Sequence, residues 1–282
     1  MIPKVIHYCW FGGNSLPDSA IKCINSWRKF FPEYEIWEWN ENNYDVNKIP
    51  YIKEAYEKKK YAFVSDYARF DILYQYGGVY FDTDVEVIKS FDDILESNFM
   101  GQEWFDASIN LVGEKNLDIV VNPGLGIAAS KKMPIYKEIL EFYSTRHFIL
   151  EDGSIDTTTI CKYTTDILKR HGYDGMIQQL QKVGEITIYP QEYFCPMNYI
   201  TGETVLTDNT HSIHWYGATW KSEYDKKISD KRMYYIKRYG DKNGYILFKV
   251  ATIPDRVKRA IEERGIWGTL LFIHEKVRKR FN

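Results

Sequence analysis

Two carboxylates, Asp82 and Asp84, stand two residues apart just after a short apolar run, Val79-Tyr80-Phe81. In an extended chain that spacing puts both on one side. Hard oxygen ligands held at the C-terminal end of a strand suit Mg²⁺ or Mn²⁺ bridging to a diphosphate. Upstream, Asp66 and Arg69 are three residues apart in a segment that reads as a helix, so they share a face and can point together at a polar ligand. Gly77 and Gly78 can take the backbone conformations that end such a helix and turn the chain into the strand. No piece is specific alone. Asp-x-Asp triplets abound in solvated turns, and a helical Asp/Arg pair is more often a surface ion pair of small value. What singles out residues 66–84 is the order of helix pair, glycine turn, apolar strand and carboxylate pair.

The flanking chain supplies elements to position these groups. Val5 to Trp10 reads as a buried strand, Pro17 to Phe31 as a helix closed by Pro32, and Tyr34 to Trp39 as a second strand. Tyr51 to Lys60 and Ala62 to Tyr76 read as helices. Further on, Ile127 to Ala129, Glu185 to Tyr189 and Ser212 to Trp215 read as strands. Pro134 to Arg146 and Thr157 to His171 read as helices, with Asp156 as the N-cap of the second. Strands alternating with helices predict an α/β fold with a mostly parallel central sheet covered on both faces. In such sheets ligands bind beyond the C-terminal strand ends, where Gly12, Asp82 and Asp84 fall.

With 282 residues, 44% of them apolar, and a formal net charge of −2, the chain can bury a full core. The near-neutral balance argues against a nucleic-acid partner. Cys9, Cys23, Cys161 and Cys195 form no Cys-x-x-Cys pair, so reduced thiols are expected, not a zinc site or a disulfide framework. No apolar run reaches the roughly 18 residues of a transmembrane helix. The N-terminus lacks the apolar core of a signal peptide, so a cytoplasmic protein is expected. Lys249 to Asn282 holds nine Lys and Arg against four Asp and Glu, a net +5, while the rest of the chain carries −7.

The run AFVSDYARFDILYQYGGVYFDTDVEV, from Ala62 to Val87, resembles the nucleotide-sugar site of family 32 glycosyltransferases. The catalytic domains of large clostridial glucosylating toxins share that site plan. IPKVIHYCWFGG, with Ser26-Trp27, resembles the family's opening strand and first helix. HSIHWYGATW, with His211, His214, Trp215 and Trp220, resembles its closing His-Trp element. The resemblance covers about residues 1 to 220 and is most specific at its centre.

It implies a GT-A type nucleotide-sugar-binding fold. Asp84 would be the direct metal ligand, with Asp82 directed to the metal and to the ribose or sugar. Asp66 and Arg69 would hold donor-sugar hydroxyls, and Tyr80 would line the donor pocket. Trp220 would close over the diphosphate with its indole N–H. His214 is the second metal candidate, since a neutral imidazole suits Mn²⁺ better than Mg²⁺. His211 stands nearby, and the choice between the two stays open. Trp10, after the first strand, could stack on the base, and Asn122 could contact donor or acceptor. Many relatives have a Thr-Gly-Pro-like turn where this chain has Asp156-Thr157-Thr158-Thr159, which puts a role there in doubt. The family retains anomeric configuration. No residue stands out as a nucleophile, so same-face attack and a covalent intermediate both stay open.

The expected organisation is a GT-A catalytic domain over residues 1–224 and a basic helical appendage over 225–282. The expected reaction moves a hexose or N-acetylhexosamine from a nucleotide sugar, UDP-linked by expectation, to a growing glycan, with Mn²⁺ or Mg²⁺. Capsule or other surface polysaccharide assembly is the expected setting. Acceptors there are commonly lipid-linked, which places the enzyme at the inner face of a membrane. The apolar cluster Ile266, Trp267, Leu270, Leu271 and Ile273, followed by Lys276, Arg278, Lys279 and Arg280, suits peripheral contact with an anionic surface. Two rival readings are a toxin-like transferase acting on a protein and a catalytically silent nucleotide-sugar-binding module. The absence of a delivery domain counts against the first, and the intact Asp82/Asp84 pair against the second.

Overall fold

The computed structural model describes residues 1–103, 119–199, 201–217 and 223–281; the side chains of 223, 225, 241, 242, 263 and 272–281 are outside this description. Two compact units divide the chain, one holding the described residues up to 217 and the other those from 223 onward.

The first unit begins with β1 (Val5–Cys9), α1 (Asp18–Phe30), β2 (Glu35–Trp39), α2 (Pro50–Glu57), α3 (Tyr61–Tyr76) and β3 (Gly78–Tyr80). β4 (Val85–Val87), β5 (Asn98–Gly101), β6 (Ile127–Ala129), α4 (Pro134–Ser144) and α5 (Ile160–Arg170) follow. β7 (Gln181–Val183), β8 (Ile186–Tyr189), α6 (Gln191–Phe194) and β9 (Ser212–His214) complete it. The second unit is helical: α7 (Glu223–Tyr239), α8 (Asp241–Ala251) and α9 (Ile253–Phe281).

Seven strands form the central sheet in the order β2-β1-β3-β6-β5-β8-β7. The expected α/β class is present, but the sheet is mixed where a mostly parallel one was predicted. β1 runs parallel to β2 and β3, and β5 parallel to β8, while β6 is antiparallel to both its neighbours and β7 to β8. The reason is local at one end. β7 and β8 are joined by only Gly184-Glu185, and a two-residue link can connect only antiparallel strands.

Alternate residues of each strand face opposite sides, so the sheet separates two apolar clusters. Ile6, Val79, Ala128 and Phe99 pack with Cys23, Ile24 and Trp27 of α1 on one face. Cys9, Tyr80, Ile127 and Met100 pack with residues of α2, α3, α4 and α5 on the other. Between α3 and β3, Gly78 holds φ +104°, and a Cβ there would lie 2.6 Å from the Val5 carbonyl oxygen. Only glycine lets α3 hand the chain to β3 this close to β1.

Asp156 does not cap α5. Thr159 does, its hydroxyl accepting from the Lys162 N–H. Asp156 is buried and accepts instead from Arg146, from the Tyr163 hydroxyl and from the Thr158 N–H, a set that a solvent-facing cap would not need.

In the second unit α9 turns sharply at Gly265, where φ is +69°. Asp255, at its start, pairs with Lys227 and Lys231 of α7. Val250, Ile253, Ile266, Trp267, Leu270 and Leu271 are exposed. The side chains of Ile273, Lys276, Arg278, Lys279 and Arg280 lie outside those described. Among the described residues no helix is long and apolar enough to cross a membrane.

Candidate functional site

β1, β3 and β5 end at one edge of the sheet, and β6, reversed, begins there. The residues that chemistry singles out collect at that edge. Asp82 follows Tyr80 and Phe81 out of β3, and its N–H donates to the Gly124 carbonyl just ahead of β6 at 3.2 Å. Its carboxylate accepts from the Tyr80 hydroxyl at 3.0 Å and from Arg69 at 3.3 Å. Arg69 also donates to Asp66 at 2.9 Å, and its guanidinium lies 4.9 Å from the centre of the Tyr80 ring. One face of α3 thus delivers a buried Asp66–Arg69 pair directly against the first carboxylate.

Burial pushes the Asp66 carboxyl up to about 7, because Arg69 offsets only part of the desolvation and Asp82 adds repulsion. Burial also works against the Arg69 charge, but Asp82, Tyr80 and Asp66 together outweigh it and hold the guanidinium firmly protonated. A buried Asp that is easily protonated and next to a fixed cation is suited to exchanging hydrogen bonds with a ligand hydroxyl.

Asp84 is met from another part of the chain. β4 pairs antiparallel with β9 so that Val85 stands opposite His214. The pairing sets His214 Nε2 3.2 Å from Asp84 Oδ1. The turn after β9 adds two more contacts: Gly217 N–H donates to Asp84 Oδ2 at 2.9 Å and Trp215 N–H to its carbonyl at 3.0 Å. Burial opposes the Asp84 charge, yet His214 and the Gly217 N–H hold the carboxyl below its usual range. Burial likewise opposes charge on His214, and Asp84 overrides it, raising the imidazole well above its ordinary value.

Asp82, Asp84 and His214 each offer a ligand atom, all within 4.8 Å of one another. Two carboxylates and one imidazole fit a divalent cation, and the nitrogen favours Mn²⁺ over Mg²⁺. His211 is not in this group. Its Nδ1 meets the Ser90 carbonyl at 2.6 Å, its ring stacks on Tyr193, and burial lowers its pKa, as expected for a packed neutral histidine.

Trp10 is half-buried after β1, and its indole N–H donates to the Asn14 carbonyl at 2.7 Å. Trp220 lies outside the described residues. Asn122 is buried beside Asp82: its Oδ1 accepts from Gly124 N–H at 2.7 Å and its Nδ2 reaches Glu103 at 3.4 Å. Glu103 belongs to no motif. It lies two residues beyond β5, at the same edge, and burial raises its carboxyl against the pull of His214, Asn122, Cys161 and Tyr216. The only available signal was its position just past a strand end.

A cation-ready acidic pair beside a buried Asp–Arg pair is an arrangement for an anionic ligand that also carries hydroxyls. Residues 17–100, which include both pairs, match the family model described as the glycosyltransferase sugar-binding region containing a DXD motif. This segment is similar to the sugar-binding region of glycosyltransferases. It is similar to two curated proteins of Schizosaccharomyces pombe. Inositol phosphoceramide mannosyltransferase 3 is 31% identical over 98 residues, which span 33% of this chain and 27% of that one. Inositol phosphoceramide mannosyltransferase 1 is 32% identical over 105 residues, spanning 33% and 31%. The matches thus span about a third of these relatives. A solved structure, PaToxG glycosyltransferase, superposes with a TM-score of 0.45 at 18% identity over 60% of this chain and 69% of its own. Glu103, Asn122 and His214, which lie close to these pairs, fall beyond the matched residues.

Proposed function

We propose that this chain is a metal-dependent glycosyltransferase that moves a hexose or N-acetylhexosamine from a nucleotide sugar to a glycan acceptor with retention. The observation that carries this reading is the convergence of Asp82, Asp84 and His214 within 4.8 Å beside the Asp66–Arg69 pair. Asp84, Asp82 and His214 would hold the cation. A divalent ion there neutralises the charge that builds on the departing nucleoside diphosphate. Asp66 and Arg69 hold donor-sugar hydroxyls, and their burial excludes water from competing for them.

UDP-sugars are the first donors to test. The S. pombe relatives are mannosyltransferases, so GDP-mannose belongs beside them. Their named acceptor is a lipid, which agrees with a lipid-linked acceptor here and with the exposed apolar residues of α8 and α9 as a peripheral membrane contact at the cytoplasmic face. The test is donor hydrolysis with and without Mn²⁺ in wild type and Asp84→Asn. Mn²⁺-dependent hydrolysis lost in the variant supports the reading. Unchanged hydrolysis in Asp84→Asn overturns it, and donor binding without turnover in wild type makes the protein a binding module.

A further inference from the structure

His214 turns Nε2 to Asp84 and leaves Nδ1 buried, with no hydrogen-bond partner of ordinary geometry among the described residues. A histidine that ligates a metal normally gives its other N–H to an acceptor, which fixes the tautomer and the ring plane. Here the Cys195 thiol, just past the end of α6, joins the cluster around the ring through Tyr216. Cys195 is fully buried, and its sulfur lies 2.9 Å from the Tyr216 hydroxyl. Tyr216 closes the circle. Its ring meets that of His214 nearly edge-on, with centroids 4.4 Å apart and planes at 67°.

Tyr216 also carries backbone strain. Its φ is +50°, a conformation that a non-glycine residue keeps only where the surroundings enforce it. The turn it makes carries the chain from His214 to Gly217, whose N–H reaches Asp84. One turn therefore delivers both an imidazole and an N–H to the same carboxylate, and a thiol anchors it from behind.

We infer that Cys195 and Tyr216 are positioning residues for His214. In this role the sulfur serves the buried Nδ1 and leaves Nε2 to the cation, while the Tyr216 ring and hydroxyl hold thiol and imidazole in place. A thiol is a weak, polarisable acceptor, so it can meet Nδ1–H at a distance where an oxygen would be too far to bond. This inference rests on the metal site proposed above.

The test uses the full chain and Mn²⁺ alone, titrated by electron paramagnetic resonance into wild type, Cys195→Ala, Cys195→Ser and Tyr216→Phe. Thermal melts and the absorption spectrum of the Co²⁺-loaded proteins are recorded beside it. Loss of a partner behind a metal-binding His weakens metal by roughly 10–100-fold, so Cys195→Ala should fall in that range and Cys195→Ser should stay within about threefold of wild type. Tyr216→Phe should weaken Mn²⁺ and shift the Co²⁺ bands, since it frees the thiol while keeping the ring. Wild-type Mn²⁺ affinity in Cys195→Ala overturns the inference and leaves the metal site standing. Equal weakening in the Ala and Ser variants, with equal drops in melting temperature, overturns it in favour of packing. No Mn²⁺ binding in wild type removes the metal site and the inference together.

Discussion

Gly124 stands so close to Asp82 that a Cβ on it would lie 2.1 Å from Asp82 Oδ2. The same glycine accepts from the Asp82 N–H and donates its own N–H to Asn122. The segment leading into β6 thus forms a wall behind the carboxylate and leaves it facing Arg69. A methyl group at this position would strike the end of a side chain rather than backbone, and Gly124 is not in the left-handed region. Gly124→Ala should therefore displace Asp82 with little effect on folding. We expect a stability change within about 1 kcal/mol, typical of a mutation that one side chain can relieve, together with a loss of Mn²⁺-dependent turnover of about tenfold or more. Urea denaturation and initial rates check this, and full activity in the variant would show that Asp82 is not held by this contact.

Asp66 and Arg69 form a buried pair that touches the acidic site through an Arg69–Asp82 contact. If the pair binds donor hydroxyls, Asp66→Ala should weaken the intact nucleotide sugar much more than the free nucleoside diphosphate. Hydrogen bonds to charged groups are worth about 1.5–3 kcal/mol, so the difference should be roughly 10–100-fold in affinity. Calorimetric titration of both ligands decides it. Equal losses would mean the pair only supports Asp82.

The two histidines near the closing strand should behave differently. His214→Ala should raise the Mn²⁺ concentration for half-maximal activity by about tenfold or more, as loss of a metal ligand would. His211→Ala should leave that concentration unchanged and lower stability instead, because its ring is buried between Tyr193 and Phe91. Superimposed Mn²⁺ curves for wild type and His214→Ala would return His214 to a packing role.

His7 gives the fold a pH dependence separate from the site. It is fully buried, its Nε2–H donates to the Gly77 carbonyl at 2.9 Å, and its Nδ1 accepts from the Trp39 indole at 3.1 Å. Both nitrogens are used by the neutral ring, and burial lowers its pKa to about 4. The unfolded chain binds a proton near 6.5, so between 6.5 and 4 it holds more protons than the folded chain and stability falls as pH falls. Above 6.5 the contribution is complete. Between pH 7 and 5 it should amount to about 2 kcal/mol. Urea denaturation of wild type and His7→Gln at both values checks this: the drop on acidification should be smaller in the variant by about that amount, and equal drops would exclude His7 as its source.

What the sequence revealed follows from how local each feature is. α3, the Gly77-Gly78 turn and β3 lie in one uninterrupted stretch, so helical spacing, glycine chemistry and the alternating carboxylates could be read together. β4 could not be read this way. Three residues carry no periodicity, yet its pairing with β9 is what brings His214, and not His211, to Asp84. Strand direction is equally silent: Ile127 to Ala129 was recognisable as a strand, but nothing in three apolar residues says that it runs against β3. Glu103 and Cys195 reach the site only through tertiary contacts and belong to no motif, while Tyr216 lies inside the closing element without a feature of its own to mark it.

The second unit offers the last prediction. Trp267 is 80% exposed and Leu271 66%, on the half of α9 that follows the turn at Gly265. At that spacing the two share a helix face with Leu270 close by. Basic residues follow them in the sequence, at Lys276, Arg278, Lys279 and Arg280. A large indole and leucines open to solvent, next to a cationic run, match the chemistry of an anionic lipid surface, where each basic group contributes about 1 kcal/mol before salt screening. The full chain should co-sediment with phosphatidylserine-containing vesicles at low salt and release as salt rises. Trp267→Glu combined with Leu271→Glu should abolish sedimentation and leave donor hydrolysis unchanged, since both side chains are exposed and mutation there removes no packing. If wild type ignores anionic vesicles, or the double variant sediments as wild type does, this face does not bind membranes.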